Sequence, residues 1–228
     1  MITFYFNLGP NPMKVALCLE EMGLPYETVL VDGRRGEQFA PDFLAVNPNG
    51  KLPAIVDDGV TVFDSNAILL HLAEKTGRFL PEAGAQPRAD LLSWLMFVAS
   101  GVGPYSGQAV HFKHNVPTGN EYGATRYVFE VKRHYKILDE RLASRRYILG
   151  GSYSIVDMAM WGWARVLPRI FGDNPYDAYP NVKRLMGEID ARPAAARALA
   201  LHDKSTPYFK AEMDEPARQF MFRHLKQA

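Results

Sequence analysis

The strand signal in this chain stops at a proline-marked linker. Through residue 77 the sequence alternates short β-rich runs with helical patterns, and after Arg88 only helical apolar faces remain. Ile2 to Phe6 reads as a strand, Met13 to Met22 as a helix stopped by Gly23, and Glu27 to Asp32 as a second strand. "RRGEQFAPDFLAVNPNG" is a loop carrying a short helix. "PAIVDDGVTVF" reads as a hairpin around Asp-Asp-Gly. "DSNAILLHLAEKTG" reads as a helix with Asp64 or Ser65 as cap and Gly77 as stop. The order βαβαββα points to an α/β layer.

The linker "RFLPEAGAQPR" carries two prolines and little periodicity, so a domain boundary falls within it. Residues 1–78 are expected to form the first domain, 79–87 the connection, and 88–228 an all-helical domain. "ADLLSWLMFVAS", "ATRYVFEVKRHYKILDERLA" and "SIVDMAMWGWARVLPRIF" carry long apolar helical faces, and "NVKRLMGEIDAR" and "EPARQFMFRHLKQ" shorter ones. Ser154 to Asp157 reads as a capping-box start. "GVGPYSG" interrupts a helical pattern and is expected to bend it, since no P-loop Lys-Ser/Thr follows.

Composition narrows the function classes. A formal charge of +1 lacks the global basic bias of many nucleic-acid binders, so no nucleic-acid partner is expected. Cys18 is the only cysteine, which excludes an intrachain disulfide and a cysteine zinc cluster. It lies among Val15, Leu17 and Met22 and reads as a small hydrophobe. His111 and His114 show H-x-x-H spacing without an evident third ligand, so no metal is expected. With no basic-then-apolar leader and no apolar run of spanning length, a soluble, cytoplasmic protein without a membrane partner is expected.

One turn poses a chemical question. A strand, a Pro-bearing turn and a helix is where thiol–disulfide proteins often carry C-x-x-C, yet here the spacing reads Asn11-Pro12-Met13-Lys14. Any thiol chemistry at this turn must borrow its sulfur. Asn11 also fits an ordinary turn or cap residue beside proline.

This organisation resembles a cytosolic glutathione transferase: a thioredoxin-like α/β domain followed by an all-α domain. "NGKLPAIVD" is similar to that family's loop before a cis-proline, "FDSNAILLHLAEK" to its acid-Ser helix start, and "GGSYSIVDMAMW" to its S-x-x-D helix start. "PNPMK", "GVGPYSGQAVHFKH" and "RYVFEVKRHY" most resemble the bacterial nu class, of disulfide-bond reductase type. The resemblance implies glutathione as cosubstrate, glutathione disulfide as a further ligand, a small-molecule disulfide or electrophile as second substrate, no metal, and a homodimer.

It also implies roles. Asn11 would stabilise the bound thiolate as the catalytic group; free thiol titrates near ~8.5, so a modest downward shift matters at neutral pH. Ser65, with the helix dipole, would hold the γ-glutamyl carboxylate, and Asp64 the ammonium. Capping alone accounts equally well for that pair on local grounds. Leu52 and a cis Pro53 would present backbone to the cysteinyl peptide, although Pro53 also fits the start of an edge strand. Lys51 and Gln38 are candidates for the glycyl carboxylate, and Arg133 for a clamp on the γ-glutamyl end, within a subunit or across a dimer.

Where nu-class proteins tend to carry a threonine before Pro-Asn, this chain has Gly9, which removes a hydroxyl donor and opens space. Tyr5 is expected to be buried rather than to activate a nucleophile. Tyr105, Phe112 and Trp163 fit either a substrate pocket or the core. Two alternatives to disulfide exchange stay open: a transferase or lyase for hydrophobic electrophiles, and a noncatalytic glutathione-binding regulator.

Overall fold

The computed structural model describes residues 1–116 and 119–226. Strand β1 (Ile2–Phe6) alternates, with Ile2, Phe4 and Phe6 buried on one face. Helix α1 (Pro10–Met22) has proline at its first position and ends at Gly23, whose φ of 64° is the left-handed conformation glycine adopts without strain. Then come β2 (Tyr26–Leu30), α2 (Pro41–Val46), β3 (Ala54–Asp57), β4 (Val60–Phe63) and α3 (Ser65–Thr76). The sheet order is β2-β1-β3-β4, with β1 parallel to β2 and the remaining neighbours antiparallel. The expected βαβαββα order is present.

Two differences have local causes. The second strand ends at Leu30 rather than Asp32, because Asp32 turns its buried carboxylate to the backbone N–H groups of Arg34 and Lys210. Tyr5 is half-buried rather than buried, because it faces the short helix α2, its ring 5.5 Å from Phe43, on the sheet face opposite Phe4. It is unsuited to activate a sulfur at the start of α1.

The helical half begins with α4 (Ala85–Phe97), three residues before the expected boundary. Pro87 sits in its first turn, where a missing N–H costs nothing. A π turn, Val98–Val102, carries α4 into α5 (Gly103–His114), where the sequence suggests a bend. Then follow α6 (Glu121–Leu142), α7 (Ile155–Ala164), α8 (Leu167–Phe171), α9 (Pro180–Asp190), α10 (Pro193–Ser205) and α11 (Glu215–Met221). The alanine-rich α10 is not evident from apolar periodicity; Arg192 and Arg197 at its start pair with Glu21 and Glu20 of α1. Gln227, the last residue of the final expected helix, lies outside the described residues.

Helix α7 is apolar all round and buried along its whole length. Its expected capping box is present: the Ser154 hydroxyl accepts from Val156 N–H, and Asp157 accepts from Ser154 N–H at 2.9 Å. Gly162 lets α7 approach α1, since a Cβ there would lie 2.4 Å from the Pro10 carbonyl oxygen. One continuous core therefore joins the two halves, and this crossing fixes the start of α1 against Trp163.

Candidate functional site

Two helices of the first half point their N-termini toward a cleft walled by the second. At α1, Gly9 is the N-cap, and Pro10 and Pro12 lack N–H groups. Met13 N–H already donates to Gly9 O at 3.2 Å. Among the described residues, the first turn thus retains one backbone donor without a partner, the N–H of Asn11. The side chain of Asn11 is fixed as well: its Oδ1 accepts from Trp163 Nε1 at 3.0 Å, leaving the Nδ2 amide as the donating end.

At α3, Asp64 is the cap. Its φ is 69°, and Oδ1 accepts from the N–H groups of Asn66 at 2.8 Å and Ala67 at 3.2 Å. Ser65 is then the first helical residue, buried, and its hydroxyl makes no hydrogen bond to a described residue. Oδ2 of the exposed Asp64 is left over from capping. Between the two helix starts lies a polar niche of about 50 Å³, lined by Asn11, Lys14, Asp64, Ser65, Asn66 and Trp163 together with the π turn.

A larger cleft of about 950 Å³ opens on the other side of Gly9. Lys51 and Gln38 line it. The Gln38 amide donates to Gly33 O at 3.3 Å, and its buried Oε1 has no partner among the described residues. Lys51 is exposed; its carbonyl accepts from Asn47 Nδ2 at 2.6 Å, which anchors the loop. The Leu52–Pro53 bond is cis. Sheet pairing of β3 starts at Ala54, so the Leu52 backbone lies outside the ladder.

The far wall comes from α5 and the C-terminal segment. Arg34 Nη1 donates to Lys210 O at 2.7 Å and Ala211 O at 2.6 Å, while Lys210 N–H donates to Asp32 Oδ2 at 2.7 Å. Phe220 packs against Gly36 and Phe39, and the Arg223 guanidinium lies 4.0 Å over the Phe39 ring. Burial, then the neighbouring charge of His224, pushes the His111 pKa down. Lys51 and Arg223 bring positive charge to this space, His111 is pushed toward its neutral form, and the acid Asp32 is spent on backbone donors and on Arg35. The cleft suits an anion.

Arg133 is not brought to either space. Its Nε donates to Glu130 Oε2 at 2.8 Å, and its Nη2 lies 3.2 Å from His134 Nε2. Tyr105 stacks near Tyr127 and His134, whereas Phe112 reaches the larger cleft and Trp163 the niche. Cys18 is fully buried with its Sγ 3.7 Å from Met22 Sδ, and burial above all, then Glu21, pushes its pKa upward. It cannot serve as a nucleophile. Among the described residues, no group of three or more His, Cys, Asp or Glu is placed to hold a metal, and no helix is long and apolar enough to cross a membrane.

Comparison with known proteins fits this geometry. Residues 9–75 match the family model described as glutathione S-transferase, N-terminal domain, and residues 118–193 its C-terminal counterpart. The disulfide-bond oxidoreductase YfcG of Escherichia coli is 43% identical over 206 residues, covering 87% of this chain and 94% of that protein. This chain belongs to the glutathione S-transferase family.

Two solved transferase structures extend the likeness. One, from Burkholderia graminis with two glutathione molecules bound per subunit, has a TM-score of 0.81 at 38% identity, covering 87% of each chain. Another, from Pseudomonas putida with one glutathione disulfide bound per subunit, has a TM-score of 0.79 at 34% identity, covering 87% of this chain and 90% of that one. Within this transferase fold, Lys14 and the C-terminal wall escape sequence reasoning, and Trp163 is read there only as pocket or core. Trp163 orients Asn11 from 152 positions away. Lys14 lies buried in the niche, and the sequence signal for it is a single charge inside the apolar run "PMKVALCL". The C-terminal segment walls the cleft through Phe220 and Arg223, which look like surface-helix residues in the sequence.

Proposed function

We propose that this transferase is a glutathione-dependent disulfide-bond oxidoreductase that uses the sulfur of bound glutathione. The observation that carries this reading is the α1 start. Two prolines leave one backbone N–H without a partner among the described residues, Trp163 fixes the Asn11 amide beside it, and Cys18 is too buried to compete. Those two donors would hold the thiolate. Ser65 and the α3 dipole would take the γ-glutamyl carboxylate, Asp64 Oδ2 the ammonium, Leu52 the cysteinyl peptide, and Lys51 with Gln38 the glycyl carboxylate. Arg133, outside both spaces of its own chain, would act across a homodimer. The dimer and a cytoplasmic location rest on resemblance to the family's cytosolic members.

In the reaction, the thiolate attacks one sulfur of a disulfide. The S–S bond breaks, a glutathione mixed disulfide forms, and the leaving thiolate takes a proton from water. A second glutathione resolves the mixed disulfide, so two glutathiones are oxidised for each disulfide reduced. The basic lining of the larger cleft supports an anionic second partner, in keeping with the paired glutathiones of the Burkholderia relative. The test is turnover of 2-hydroxyethyl disulfide and of anionic disulfides with glutathione, followed by a coupled reductase. Turnover favouring anionic disulfides is expected. Glutathione binding without turnover would establish the regulator instead, and conjugation of aryl halides in place of disulfide turnover the electrophile-directed transferase.

A further inference from the structure

Lys14 is 1% exposed, deep in the niche between the starts of α1 and α3. It lies three residues after Asn11, so both side chains occupy one face of α1 and line the same space. Its Nζ donates to Asn66 Oδ1 at 3.0 Å; an ammonium has three protons to place, and this is its one hydrogen bond among the described residues. From α7, the Gly162 backbone packs against the stem, where a Cβ would stand 3.2 Å from Lys14 Cβ. The Trp163 indole N–H is spent on Asn11. The charged group facing the amine is Asp64, whose Oδ1 is engaged by backbone donors. A full positive charge is thus poorly supported there until a thiolate forms beside Asn11.

We propose that Lys14 is a proton-holding residue of the glutathione site: its Nζ takes the proton released when bound glutathione becomes a thiolate. This rests on the reading of the cleft as a glutathione site. The balance is simple, with the S–H bond breaking, an N–H bond forming at Nζ, and no net charge created in the buried niche. Burial lowers the Lys14 pKa to about 7 against the opposing pull of Asp64, so the amine accepts a proton near neutral pH. Tyr5 faces α2 and cannot take this proton, so without Lys14 thiolate formation must release it to bulk water. The Lys14 ammonium then adds a positive charge near the start of α1, on the same side as Asn11.

Calorimetry on the wild-type protein tests this without substitution. At pH 8, above the Lys14 pKa, glutathione is titrated in two buffers of different ionisation enthalpy while ultraviolet absorbance reports thiolate. The expected result is thiolate formation with almost no proton released to the buffer. Release of one proton per thiolate formed overturns the proposal. S-Methylglutathione, which has no thiol proton, should bind with no proton exchange at this pH. If it binds and glutathione still releases a full proton, Lys14 alone is wrong; if neither ligand binds, the glutathione reading fails and the proposal with it. In Lys14→Met, S-methylglutathione affinity should be unchanged, proton release should rise to one per thiolate, and disulfide turnover at pH 7 should fall tenfold or more while recovering toward pH 9. A purely structural lysine would leave the pH profile in place.

Discussion

Trp163 Nε1 donates to Asn11 Oδ1 at 3.0 Å, across 152 residues and across the junction between the α/β and helical halves. Without that bond the Asn11 amide could turn its oxygen toward the sulfur and repel a thiolate. Trp163→Phe deletes the donor and trims the indole where it packs beside Gly103 and Gly107, so ligand affinity is measured alongside turnover. Turnover should fall severalfold, up to about tenfold for a neutral bond worth roughly 0.5–1.5 kcal/mol. The dissociation constant for S-methylglutathione should hold. An equal loss in both would mean that Trp163 shapes the whole site rather than the sulfur position.

Ser65→Ala addresses the other end of the ligand. The hydroxyl is buried beside the niche and has no partner among the described residues, while Asp64 alone supplies the cap, so the fold should survive. Losing a hydrogen bond to a charged carboxylate should weaken glutathione binding by about 1.5–3 kcal/mol. Titration calorimetry on the folded variant reads this directly, and unchanged affinity removes Ser65 from the site.

The ambiguity between Asp64 and Ser65 shows where sequence reading stops. Either residue can cap a helix, and only the backbone assigns the role, through the positive φ of Asp64 and the two N–H groups meeting its Oδ1. The strand–helix order and the Ser154–Asp157 box depend on neighbours within a few positions, so they are legible in the chain. The Trp163–Asn11 bond and the docking of Phe220 on Gly36 join segments more than a hundred residues apart, and periodicity carries no information about them. Lys14 gives no local signal of its place, because a lysine is ordinarily assigned to a solvated helix face.

Asp157 should carry stability rather than activity. It is fully buried and accepts from Ile148 N–H, Ser154 N–H and Ser154 Oγ, each at 2.9 Å. Asp157→Ala leaves those donors unpaired, at about 1–3 kcal/mol for each one stranded without water. Denaturant unfolding should show a loss of at least ~2 kcal/mol on that basis, with the slope unchanged. A loss near zero would mean water replaces the carboxylate.

Lys14 should also leave a mark on the stability of the ligand-free protein. Its folded pKa of about 7 lies below the unfolded 10.5, so between those values the unfolded chain holds a proton that the folded one lacks. Stability contributed by this group therefore rises with pH through that window and is lowest below pH 7. Measured as the difference between wild type and Lys14→Met from pH 8 to 9, the gain should approach about 1.4 kcal/mol per pH unit. A difference independent of pH would place the charged form of Lys14 comfortably in the folded protein.

Asn11→Ala tests the sulfur itself. The variant keeps the backbone N–H of residue 11 and every contact assigned to the γ-glutamyl and glycyl ends, so glutathione capture should be largely retained. The Nδ2 donor is lost, and its interaction strengthens as charge gathers on sulfur, so turnover should drop more than affinity. The bound-thiol pKa, followed by ultraviolet absorbance against pH, should rise. If Trp163 acts on the sulfur only by orienting this amide, adding Trp163→Phe to Asn11→Ala should cost almost nothing further. Two neighbours acting through one bond give a strongly non-additive cycle, whereas independent roles would add within about 0.3–0.5 kcal/mol. Additive losses in turnover would separate the two residues and leave the Asn11 backbone N–H as the thiolate donor at the start of α1.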